Sequence, residues 1–179
     1  RGFPKPCLAG VRVLPGPPFN VFKPKGVGTR MRHEDWMRLA LNEAKKAFAL
    51  NEVPVGAVLV HNGRVLAIAH NQREQDQDPT AHAEILVLRK AAKELGHWRL
   101  INASLYVTLE PCPMCAGAIV QARIKHLIYG ATDPKGGAVD SRVKLLQDKL
   151  WNHKVEVTAG VLEEDCAKLL KDFFQNKRA

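Results

Sequence analysis

No run in this chain approaches the roughly 20 consecutive apolar residues that cross a bilayer as a helix. Residues 7–12, preceded by Pro6 and ended by Arg12, are also too short to be a signal-peptide core. Cysteine is scarce. Of four, Cys112 and Cys115 are three apart, while Cys7 and Cys166 lie far off, so the chain lacks the paired framework of small secreted domains. A reducing, cytoplasmic compartment is therefore expected. Acidic residues are missing from residues 1–30, which carry six cations and six prolines, with no Ser and neither helical nor strand periodicity. That composition predicts a disordered or extended basic leader, an artefact of cloning or of start-site assignment rather than an amphipathic targeting peptide. It also takes most of the net charge of +9. Residues 31–179 hold twenty-one cations against eighteen acids, a body charge of only +3. No internal repeat is present, and residues 31–179 suit one domain with a core large enough to need no disulfides.

What is present alternates between helical and strand periods. Residues 33–50 place Trp36, Leu39, Ala40, Ala44, Ala47 and Phe48 at helical spacing, with acids first and lysines later. Residues 55–61 and 64–70 are apolar runs joined by Asn62-Gly63, a hairpin signal, and both read as strands covered on two faces. Residues 71–79 are polar and read as a loop. A helix starting at Ala83, capped by Thr80, is closed by Gly96. A strand follows at 104–109, a helix with Pro in its first turn at 113–123, a strand at 126–129, a turn-rich loop at 133–137, a short strand at 155–158 and an amphipathic helix at 163–174. Strands alternating with helices after a hairpin predict an α/β fold with a mixed sheet.

The chemistry concentrates in Thr80-Ala81-His82-Ala83-Glu84 and Pro111-Cys112-Pro113-Met114-Cys115. One His and two Cys suit a tetrahedral Zn²⁺ with its fourth position open to water, the catalytic arrangement. Glu84 is then left over as a general acid/base for that water. Residues two apart on a helix point about 200° from each other, so His82 and Glu84 must belong to a first turn, where the geometry relaxes. The CxxC also falls at a helix start, whose free N–H groups and partial positive charge favour thiolate. Taken singly, His-x-Glu reads equally as a surface pair, and CxxC as a redox pair or half a structural zinc site. Together, in this order and with Pro before the first Cys, they form the H-x-E and P-C-x-x-C signature of zinc deaminases that act on nucleobases. His126 and His153 lack metal spacing.

Those motifs, with residues 52–60, Asn71, residues 105–118, 128–131 and 133–137, Asn152-His153 and Asp172-Phe173-Phe174, make residues 33–177 resemble the cytidine-deaminase-like superfamily and, within it, the bacterial tRNA-specific adenosine deaminases. The resemblance implies a three-layer fold, a central mixed five-stranded sheet with helices on both faces. It implies one Zn²⁺ per subunit on His82, Cys112 and Cys115, with Glu84 carrying protons from the water to the ring nitrogen and to departing ammonia. Adenosine would become inosine at the wobble position. Asn71 would bond the purine edge, Val53, Pro54 and Pro111 would wall the base, and Ala83 would be a further substrate-binding residue. Lys135 would meet a tRNA phosphate, and Phe173 would stack a flanking base beside Lys177 and Arg178, unless Phe174 does so. The implied partners are a tRNA anticodon stem-loop and a second copy of the chain, with no membrane. Two alternatives remain: a small-molecule deaminase of guanine, cytosine or free nucleosides in the same fold, and a non-catalytic zinc module, for which a free Glu84 has no use.

Overall fold

A computed structural model describes residues 31–147 and 151–178; the expected leader, residues 1–30, lies outside the described residues. The first element, α1 (His33–Ala49), has Glu34 and Asp35 in its first turn and Lys46 in its last. The Asp35 carboxylate accepts the Arg32 N–H at 2.9 Å. One stripe of the helix, Trp36, Met37, Ala40, Leu41, Ala44 and Ala47, is buried, as a 3.6-residue period requires.

Strands β1 (Gly56–His61) and β2 (Arg64–His70) pair antiparallel. Asn62 and Gly63 between them both have positive φ, 51° and 71°, the conformation that a two-residue turn of matching twist needs. The remaining main elements are α3 (Ala83–Leu95), β3 (Ala103–Leu109), α4 (Pro113–Gln121), β4 (His126–Ala131), β5 (Glu156–Thr158) and α5 (Glu163–Asn176), with a one-turn helix α2 (Arg73–Asp76) after β2 and a 3-10 turn at Leu145–Gln147. The sheet order is β2-β1-β3-β4-β5. β1 runs antiparallel to both neighbours, whereas β3/β4 and β4/β5 are parallel.

Side chains alternate across the sheet with period 2. Ala57, Leu59, Leu105, Val107, Leu127 and Tyr129 pack with Val87, Leu88, Ile119 and Val120 of α3 and α4. On the opposite face Val58, Val60, Tyr106 and Ile128 pack with Trp36, Met37 and Leu41 of α1 and Cys166 of α5. The expected three layers are therefore present.

Several local expectations are corrected. Only β1 of the hairpin is central; β2 is an edge strand and most of its residues are partly or fully exposed. Its apolar composition serves one covered face and the neighbouring α3. The 71–79 segment is not wholly loop, because the buried Glu52 carboxylate accepts the N–H groups of Glu74 (2.8 Å) and Gln75 (2.9 Å) and so caps α2 from more than twenty residues away. Thr80 does not cap α3. Its hydroxyl and its N–H both donate to Asp78 Oδ1 at 2.7 Å, and the N-cap position belongs to His82. Helix α4 ends at Gln121, short of the expected 123, since Arg123 takes a left-handed φ of 62°.

Gly56 lies where α1 crosses β1. A Cβ there would stand 2.0 Å from the Ala40 carbonyl oxygen and 2.5 Å from the Ala44 nitrogen, both backbone atoms that a side-chain rotation cannot clear. Gly56→Ala is expected to cost about 3 kcal/mol or more, at or beyond the top of the usual overpacking range, readable as a shifted urea midpoint.

Beside that crossing, the buried Glu43 carboxylate accepts from Lys46 Nζ and faces His70 Nδ1 at 3.1 Å. Burial alone would raise its pKa, but the bonds from Lys46 and His70 outweigh it, and the net direction is down from 4.5. A carboxyl lowered in the folded state stabilises it above the unfolded pKa, and that contribution fades as pH falls through the folded value. Glu43→Gln should therefore lose about 1 to 3 kcal/mol at pH 7. The gap to wild type should close below pH 4.5. Urea midpoints of both proteins across that range test this; an equal gap at acid pH would contradict it.

Candidate active site

Two helix starts meet at this site. His82 is the N-cap of α3, with extended backbone, and Glu84 is the second helical residue. Cys112 is the N-cap of α4, reached from the end of β3; Pro113 opens the helix, and Cys115 is the third helical residue, fully buried. The two-residue spacing of His82 and Glu84 is thus resolved as expected, because the cap residue lies outside helical geometry.

His82 Nδ1 lies 3.6 Å from Cys112 Sγ and 3.5 Å from Cys115 Sγ. The three atoms are all within 4.8 Å of one another, and among the described residues no other group of His, Cys, Asp or Glu is so placed. A tetrahedron with metal–sulfur bonds of about 2.3 Å and a metal–nitrogen bond of about 2.0–2.1 Å has a nitrogen–sulfur edge of about 3.6 Å. Both nitrogen–sulfur distances therefore match an edge of a zinc tetrahedron, and the cluster offers three of its four ligands.

Charge is strongly coupled here. Hydrogen bonding from the Cys115 thiol and from His82 overcomes burial and pushes Cys112 down to about 4. Cys115 goes the other way, raised by Cys112 and by burial. His82 is raised, chiefly by its bond to Cys112. The shifts favour the thiolate at Cys112 and the protonated form at His82, and a divalent cation bound by all three groups would displace their protons. Glu84 is buried at 4 % exposure, and desolvation raises its carboxyl above the ordinary range.

Asn71 is also buried, and its Oδ1 accepts the Ala83 N–H at 2.8 Å. That bond ties the amide to the first turn of α3. The Asn71 N–H in turn donates to Val55 O at 3.1 Å, which joins the entry of β1, with Val53 half-buried and Pro54 buried, to the start of α3. Pro111 is buried next to Cys112, and its carbonyl accepts the Ala138 N–H at 2.8 Å. Ala83 is fully buried, and its N–H is the donor to Asn71. Lys135 is exposed on the loop after β4.

Phe173 requires a correction. It is 3 % exposed, its ring held edge-on against Phe48 at 5.5 Å and Phe174 at 5.4 Å. It is a core residue of the α1/α5 contact and has no free face for a base. Phe174, 45 % exposed on the same helix, is the available aromatic.

Sequence reasoning missed Glu110, two residues before Cys112. Its carboxylate is 2 % exposed and accepts N–H groups from four residues of the 133–141 loop. Burial raises its pKa, but the Ser141 hydroxyl and the N–H groups of Asp140, Asp133 and Ser141 prevail and hold it at about 2. Nothing local distinguishes such a glutamate from a solvated one, since its partners lie 23 to 31 residues away.

The family model described as MafB19-like deaminase matches residues 31–178. The chain is 54 % identical over 145 residues to the tRNA-specific adenosine deaminase of Bacillus subtilis (strain 168), covering 81 % of this chain and 90 % of the relative. To that of Haemophilus influenzae it is 53 % identical over 146 residues, covering 81 % and 84 %. A solved structure from a study of A-to-I editing by tRNA:A34 deaminases at the wobble position superposes with a TM-score of 0.73 at 51 % identity, over 75 % of this chain and 97 % of that one.

Proposed function

Because this chain belongs to the MafB19-like deaminase family and, within it, to the tRNA-specific adenosine deaminases, we propose that it hydrolyses adenosine to inosine at the wobble position of a tRNA anticodon. The observation that carries this reading is the meeting of His82, Cys112 and Cys115 at zinc-ligand spacing with a buried carboxyl, Glu84, that the ligand set does not use.

His82 Nδ1 and the sulfurs of Cys112 and Cys115 would hold Zn²⁺, one per chain. Bound there, the ion would supply Lewis-acid activation that makes water a nucleophile near neutral pH. Glu84 accepts a proton from the attacking water and gives it to the purine ring nitrogen next to the amino-bearing carbon. It then helps protonate the departing amine, so that water enters and ammonia leaves. The Asn71 NH₂ group, oriented by the Ala83 N–H, bonds the purine edge. Val53, Pro54 and Pro111 line the base, which must leave its stack to reach the site. Lys135 meets backbone phosphate, and Phe174, with Lys177 and Arg178 following, stacks an unpaired neighbour of the target base. A homodimer working in the cytoplasm completes the reading; no helix among the described residues is long and apolar enough to cross a membrane.

A body charge of +3 makes the RNA footprint a local patch, so affinity should come from a few phosphate contacts with a shallow salt dependence. The test offers free adenosine and an anticodon stem-loop side by side and follows inosine by mass spectrometry. Turnover of the stem-loop is expected. Turnover of the free nucleoside alone would replace this reading with that of a small-molecule deaminase.

A further inference from the structure

We infer that Glu110 is a positioning residue for substrate binding: it locks the 133–141 loop, which carries Lys135, onto the turn that carries Cys112. This rests on the reading of Lys135 as an RNA contact. Glu110 follows directly on β3 and is all but fully buried. Its Oε1 accepts the N–H groups of Val139 (3.1 Å), Asp140 (2.8 Å) and Ser141 (2.9 Å). Its Oε2 accepts the Asp133 N–H at 2.9 Å and the Ser141 hydroxyl. Among the described residues no Lys, Arg or His lies within ion-pair distance of it. The charge is therefore met by the peptide dipoles of a single loop, which form a nest around one carboxylate.

The topology of these bonds gives them a function. They hold both ends of the loop, Asp133 and residues 139–141, on one side chain, so the span bearing Lys135 is closed like a clasp. Gly137 passes directly over the carboxyl group; a Cβ there would fall within 2.6 Å of three Glu110 side-chain atoms. The Ala138 N–H donates to the Pro111 carbonyl at 2.8 Å, one residue from Cys112. Inside the loop, the Lys135 N–H donates to Asp133 Oδ1 at 3.0 Å, and the Tyr129 hydroxyl donates to Asp140 Oδ2 at 2.6 Å. Glu110 thus sets where the Lys135 backbone stands relative to Cys112 and Cys115. The Lys135 side chain is exposed, so its reach toward a phosphate is set by where the loop backbone stands.

Glu110→Gln preserves size but turns one acceptor oxygen into a donor facing N–H groups, and Gly137→Ala pushes on the same contact from the loop side. Both are expected to keep one Zn²⁺ per chain and to raise KM for an anticodon stem-loop about tenfold or more, with kcat within about threefold of wild type. Lys135→Ala should raise KM in the wild-type background and have little further effect in Glu110→Gln, the non-additivity of two residues acting through one loop. Should Glu110→Gln not fold, Gly137→Ala carries the test. Loss of metal, a fall in kcat with KM unchanged, failure of both variants to fold, or a Lys135→Ala penalty that is absent or equal in both backgrounds overturns the inference. A wild-type chain inactive on the stem-loop overturns the functional reading and this inference with it. An active wild type with additive penalties overturns this inference alone.

Discussion

Glu84→Ala is expected to retain one Zn²⁺ per chain and to lower inosine formation on a stem-loop by about 10²- to 10⁴-fold or more, the usual worth of a positioned acid/base. The expectation follows from its place in α3. As the second helical residue it lies just past the His82 cap. It is not one of the three clustered donors, so the ligand set survives its removal. Its carboxyl is 4 % exposed, which keeps bulk water from taking over the proton transfer it performs. Glu84→Gln separates the two roles further. It fills the same space and cannot ferry a proton, so it should be as inactive as Ala while unfolding nearer to wild type. Metal analysis beside single-turnover inosine measurements is the check. Retained activity in a metal-loaded Glu84→Ala protein would remove Glu84 from the chemistry and return the zinc-module alternative to consideration.

Cys115→Ser is the second large effect. The side chain is fully buried, and its sulfur stands 3.5 Å from His82 Nδ1. An alcohol is a far weaker ligand than a thiolate for a borderline-soft ion. Loss of an outer-shell partner alone costs about 10- to 100-fold in metal affinity, so loss of a direct ligand should exceed about 10²-fold and abolish turnover. Stability follows by linkage. An ion bound only by the folded state stabilises it by about 2.7 kcal/mol at 100 times its Kd. A chelator should therefore lower the wild-type Tm by several degrees and leave Cys115→Ser nearly unmoved. A Tm equally insensitive in both proteins would mean that the cluster holds no ion worth its folding free energy.

The meeting of His82, Cys112 and Cys115, with Glu84 beside them, is legible in the chain because its signal is local: two short motifs, each confined to one helix start, with spacings that only a cap and a first turn can accommodate. The layer order was legible for a similar reason, since strand and helix periods alternate along the sequence and each element buries the stripe its period predicts. The chain is silent where a distant partner decides the local outcome. Glu52 caps α2 and Glu110 clasps the 133–141 loop across 22 to 31 residues, and neither residue differs locally from a solvated glutamate. Asp78 takes the Thr80 hydroxyl away from the cap. The edge position of β2 depends on which strand pairs with β1 on its other side, and nothing within β2 states that.

Phe173 and Phe174 illustrate the division most directly. Composition and periodicity alone establish that a helix near the end carries two adjacent aromatics facing different ways, one for the core. Which of them is buried depends on where α5 lands against α1, since Phe48, 125 positions earlier, supplies the contact that encloses Phe173 and leaves Phe174 in solvent. Residue types and their spacing thus settle the chemistry the chain can perform, because ligands and caps act over a few residues. Packing between remote elements settles which side chains are free to meet a substrate and which carboxylates hold the loops in place, because burial is a property of the whole fold.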